Sequence, residues 1–217
     1  MSESRLIRGL PVLHELEALG DLGDAGLPVV LVFAVQRAGI ALGCVFGEDT
    51  GSAVAKELAQ SWSTAADYAR TRFNQAGGSI PKRKDWGMPQ AHDSLQVRKA
   101  GRDEWKNFIR DRLAPEKMVD EKTGLPFTRD QLEFVLDQVF DTIATEGWNK
   151  VKPSGAGGGR SLAGRRQDHR FLSFKNADSW LEYQERFGNP EPFAIMVNHL
   201  EGMARDISMM EILGPNP

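Results

Sequence analysis

The chain has 217 residues, 41% apolar and 26% charged, and its 27 lysines and arginines against 30 acids leave a net charge of -3. Those values exclude a collagen-like chain, a wholly disordered chain and a strongly basic tail, and they suit one globular domain or two small ones. The single cysteine, Cys44, excludes an intrachain disulfide scaffold. It sits among apolar neighbours with no cation to stabilise a thiolate, so it reads as a structural thiol.

The residues Met1 to Leu10 are followed by Pro11, His14, Glu15 and Glu17, which is no secretory leader. Leu6, Leu10, Leu13, Leu16 and Leu19 recur at steps of three and four and predict a helix kinked or delayed by Pro11. The most apolar stretch, residues 25–46, is split by Gln36 and Arg37 into runs too short for a bilayer, so no stable membrane span is expected. Within it, residues 29–35 suit a buried helix or a short buried strand; the helical reading is preferred because the surrounding elements are helical.

Thr50 is placed as the cap of a helix reaching Gln75, with Val54, Leu58, Trp62, Ala65, Ala69 and Phe73 inward and Gly77 and Gly78 ending it. Residues 79–100 hold Pro81, Gly87 and Pro89 without a sustained period and read as a long surface loop. A short helix over residues 102–113 carries Trp105, Phe108, Ile109 and Leu113, and residues 120–124 form a turn. Thr128 and Gln131 have capping-box spacing and open a helix to about Glu146, with Leu132, Val135, Leu136, Val139 and Ile143 inward.

Residues 154–166 are glycine-rich and basic, the composition of a linker. Residues 169–175 suit a short strand or extended arm. Asn176 caps a helix with Trp180, Leu181, Tyr183 and Phe187. Asn189 and Pro190 start a last helix, with Phe193, Met196, Val197, Leu200, Met203, Ile207 and Met210 in period until Gly214. The fold class predicted is therefore mainly α: an irregular helical bundle with long loops and at most a short β element. Its divisions are a helical domain over residues 1–149, a basic linker over 150–170 and a C-terminal helical subdomain over 171–217.

Chemistry-bearing motifs are sparse. The glycine-rich stretch fails as a phosphate loop, because Ser154 stands at the first glycine position before Gly159 and Arg160 replaces the lysine. Four scattered histidines make no metal motif, and no cofactor is expected. His92 beside Asp93, and Asp168 beside His169, are neighbours on the chain and do not make dyads by adjacency.

Charge is more informative. Between residues 150 and 175 lie seven basic residues and one acid, Asp168, a net +6 that leaves -9 on the rest. Such a segment can displace counterions from a phosphate backbone. The candidate nucleic-acid contacts are Arg160, Arg165, Arg166 and Arg170, with Lys82, Arg83 and Lys84 from a second basic run that also holds Arg70 and Arg72. Trp62, Trp105 and Trp180 fall on helical stripes and read as core. Trp86 and Trp148 lie in loops beside glycine and are the candidate partner contacts.

Residues 72–78 and 85–93, the turn at 120–126, residues 168–175, residues 203–206 and residues 213–217 together resemble a region of tailed-bacteriophage and prophage proteins of the internal-virion or head-associated kind. The similarity covers about residues 50 to 217. It implies a non-enzymatic helical structural protein of the virion interior, ejected with the genome, also present in the host bacterial cytoplasm and oligomeric within the particle. Its partners would be other virion proteins and DNA, the latter through the basic loops. Two alternatives come from other classes: a module of a cell-wall-degrading or nucleotide-modifying phage enzyme with a site near His92, Asp93 and His169, and a protein-interaction module without nucleic acid.

Overall fold

Helix signals in this sequence are mostly local, and a computed structural model of the chain shows which of them prevail. It describes residues 39–80, 82, 88–118, 124–147 and 172–214. Residues 39–45 are helical and bury Leu42. Six α-helices with defined bounds follow: α1 (Ala53–Gln75), α2 (Ser94–Ala100), α3 (Arg102–Arg110), α4 (Arg129–Ala144), α5 (Ala177–Phe187) and α6 (Pro192–Leu213), with a 3-10 turn at Pro115–Lys117. The fold is mainly α with loops. The β element expected near residue 174 is an isolated antiparallel bridge between Leu113 and Phe174. It is flanked by Ala114 N–H to Ser173 O (2.7 Å) and Lys175 N–H to Arg112 O (2.9 Å).

Helix ends follow capping chemistry. At α4 the Thr128 hydroxyl accepts from Gln131 N, and the Gln131 side chain accepts from Thr128 N, the reciprocal pair that the spacing predicts. Asn176 caps α5 through Ser179 N. The cap of α1 is Ser52 rather than Thr50: the Ser52 hydroxyl accepts from Ala55 N, while Thr50 faces the Cys44 thiol at 3.1 Å. The last helix starts at Pro192, two residues later than Asn189 and Pro190 suggest. The Asn189 side chain is taken up accepting from Glu191 N in the turn before it.

The stretch read as a loop over 79–100 contains α2. Asp93 caps it by accepting from Leu95 N and Gln96 N, and Val97 is its buried anchor. One anchor in two turns makes no periodic signal, which is why the sequence pattern misses it.

Packing also departs from the expected stripe of α1. Its buried residues are Ala55, Ala59, Trp62, Ala66, Ala69 and Phe73, whereas Val54 and Leu58 are exposed and Ala65 is only half-buried. The alanine side lets a partner helix approach closely, and that partner is α6, whose Met203, Ile207 and Met210 join Ala69, Phe73 and Ile80 in one cluster. Phe193 of α6, expected inward, points to solvent.

The larger cluster gathers Trp62, Trp105, Ile109, Leu113, Leu132, Leu136, Phe174, Trp180, Tyr183 and Phe187. Trp62, Trp105 and Trp180 are core as expected. Both clusters take side chains from before residue 148 and after residue 171, so the stretches on either side of the basic segment share their hydrophobic packing.

Candidate functional site

Of the sequence-predicted contacts, Lys82 is described. Arg83, Lys84, Trp86, Trp148, Arg160, Arg165, Arg166 and Arg170, and also His169, lie outside the described residues. Lys82 is exposed, and its ammonium sits 2.9 Å from Asp67 Oδ2. Asp67 also accepts from Arg70 Nε at 2.9 Å, and hydrogen bonds from Lys82 and Arg70 hold its carboxyl below the ordinary range. The acid that answers this basic run thus comes from one turn back on α1. Arg70 Nη1 and the Asn74 side chain both close on Ile80 O, so the chain leaving α1 is tied to the helix it left.

His92 and Asp93 serve different partners. The Asp93 carboxylate caps α2, while His92 Nδ1 lies 2.8 Å from Tyr183 Oη with the rings edge to face. Trp105 Nε1, in a fully buried ring, donates to the same hydroxyl at 3.2 Å. The Tyr183 oxygen accepts from Trp105, and its contact with His92 Nδ1 runs in the direction that the imidazole tautomer sets. Burial raises the Tyr183 pKa, so the hydroxyl stays protonated and keeps its donor. The cluster links α2's entry, α3 and α5. Its chemistry is that of a satisfied core network.

A second cluster joins α3 to α4, which run antiparallel. Arg102 faces Asp137 and Asp141, Lys106 faces Glu133 and Asp137 at 2.9 Å each, and Arg110 faces Glu133 at 2.7 Å. Basic residues one turn apart on α3 meet acidic residues one turn apart on α4. Burial pulls the Lys106 pKa down, but hydrogen bonds and attraction from Asp137 and Glu133 outweigh it and the net displacement is upward. Arg110 and Lys106 hold Glu133 down at about 2. The same pattern recurs elsewhere: Arg112 with Glu182, Arg186 with Glu104, Arg72 with Glu211 and Lys56 with Asp49. Much of the described body's positive charge is thereby matched within the body.

The surface that sequence reasoning missed is apolar. Val54, Leu58 and Tyr68 of α1 are exposed on one face, and Phe193 of α6 is exposed as well. The available signal is the presence of two adjacent stripes on α1, one of alanines with Trp62 and Phe73 and one with Val54, Leu58 and Tyr68, whereas the predicted stripe draws on both. Among the described residues no group of three or more His, Cys, Asp and Glu side chains could hold a metal ion, and no described helix is long and apolar enough to cross a membrane.

No protein-family model, curated protein or solved structure matches this chain.

Proposed function

We propose that the chain is a non-enzymatic bacteriophage virion-associated structural protein, carried inside the particle, ejected with the genome, and touching nucleic acid through its basic segments. The supporting observation is the partition of charge. The described arginines and lysines of the helical body are largely committed to carboxylates, while residues 150–175 carry +6 against a single acid. Within this reading Arg160, Arg165, Arg166 and Arg170 are the principal phosphate contacts. Lys82 is a weaker one, because a phosphate there competes with Asp67. The resemblance of residues 50–217 to internal-virion and head-associated proteins supplies the setting. The enzyme alternative gains nothing at His92 and Asp93, whose polar groups engage Tyr183 and the α2 amides.

Binding to duplex DNA across a salt series tests the proposal. Six phosphates contacted predict that affinity falls by roughly a thousandfold between 50 and 200 mM salt, and that replacing the four arginines by glutamine removes most of that slope. Salt-independent or absent binding, together with absence of the chain from purified particles, would overturn it.

A further inference from the structure

The outward stripe of α1 has an ordered composition. Val54, Leu58, Ser61, Ala65 and Tyr68 recur at steps of four and three, so they share a helix face, with bulk at both ends and small side chains between. α6 widens this face. The two helices run side by side in the same direction, since Trp62 meets His199 and Arg72 meets Glu211 further along both. Five helical turns separate Arg72 from Val54, and five separate Glu211 from Phe193. Phe193 therefore lies near the level of Val54, toward the opposite end of the helix pair from the Arg72–Glu211 ion pair. Val54, Leu58, Tyr68 and Phe193 are 62%, 53%, 65% and 74% exposed. Four such side chains present roughly 500 Å² of largely apolar surface, at the upper end of what a monomer shows.

We infer that this face is a homodimer interface, in which two copies of α1 pack antiparallel about a twofold axis at Ser61. A twofold contact must be self-complementary, and this stripe is. With Ser61 opposite its own counterpart, Val54 comes level with the partner's Tyr68, and Leu58 falls within one residue of the partner's Ala65. Bulk meets bulk at the two ends, where the helices diverge, and the small centre lets the axes approach to about 8 Å. The same register lays Arg72 at the N-terminal end of the partner's α1, which the chain enters past the exposed carboxylate of Asp49. Two patches meeting remove about 1,000 Å² from water, the lower bound for a specific interface and the size of a weak one.

Light scattering of the full chain from about 5 to about 200 µM should show a monomer passing to a dimer. Leu58→Glu and Tyr68→Glu, both at exposed positions, should weaken that dimer at least tenfold while circular dichroism and thermal melting show the fold retained. In a Cys44→Ser background, Ser61→Cys should form a disulfide-linked dimer on mild oxidation, whereas Gln138→Cys on α4 should not. A wild-type chain monomeric throughout would overturn the inference, including the case in which residues 1–38 of the same chain cover the stripe. A dimer that survives both glutamate substitutions, or that fails to cross-link through residue 61, would overturn it equally.

Discussion

Replacing Tyr183 by phenylalanine isolates the hydroxyl that joins α3, α5 and the entry to α2. The ring stays, so packing against Phe174 and Phe187 is preserved. What goes is the acceptor for Trp105 Nε1 and the hydrogen-bond partner of His92 Nδ1. Trp105 is fully buried, so its indole N–H is left without a partner at a cost of about 1–3 kcal/mol. His92 is exposed and water takes over that hydrogen bond, which keeps the loss near the low end of about 0.5–1.5 kcal/mol. Relief from burying the hydroxyl offsets part of the total, leaving about 2 kcal/mol, or a drop of roughly 4–8 °C in Tm for a chain of this size. Urea denaturation followed by circular dichroism reads the difference as a shift in midpoint at unchanged slope. His92→Ala should cost less than half as much. A Tyr183→Phe protein as stable as the wild type, or a His92→Ala protein equally damaged, would refute the reasoning that the buried Trp105 bond carries most of the loss.

Other perturbations address other links. Glu133 titrates near 2 in the folded chain against 4.5 ordinarily, so its contribution is present above about pH 4.5 and is lost as pH falls from there through about 2. Because its side chain is 31% exposed, solvent screening reduces that contribution to about 1–2 kcal/mol, and Glu133→Gln should flatten the acid limb of a stability profile by that amount. Gly188→Ala should destabilise by more than about 2 kcal/mol in chemical denaturation, since a Cβ there would run into the Gln184 amide and stand 2.6 Å from Ala91 O. Thr128→Ala, which opens the capping box of α4, should cost about 1 kcal/mol by the same measurement. Ala66→Leu on the buried face of α1 should cost about 1–3 kcal/mol through overpacking, whereas Ala53→Leu on its exposed side should cost almost nothing.

The parts of the fold legible in the sequence are those fixed by neighbours along the chain. Thr128 with Gln131, and Asn176 before its helix, announce helix starts because the hydroxyl or amide and the amide it caps lie within one turn. Burial along α1 is decided elsewhere. Hydrophobicity favours Val54 and Leu58 for the core, but α6 packs where alanines leave room, and the larger residues are left outside. Phe193 fails for a related reason: the apolar side of α6 is wide, and only the part facing α1 and the aromatic cluster is covered. At the candidate site, the sequence places Lys82 in an acid-free run. It does not show that a helix turn brings Asp67 alongside. Nor does adjacency of His92 and Asp93 reveal that one bonds the buried Tyr183 from the surface and the other caps a helix.

The bridge between Leu113 and Phe174 has a consequence for how the polypeptide can be divided. It seats the residues following the basic segment against those following α3, and Trp180, Tyr183 and Phe187 then complete a core begun by Trp105 and Ile109. Backbone continuity through residues 148–171 is not what joins these surfaces; the buried aromatic contact is. A chain severed there should behave as a split protein. Fragments 1–147 and 172–217, each left with half an aromatic core, should be unstable apart and should reassemble when coexpressed.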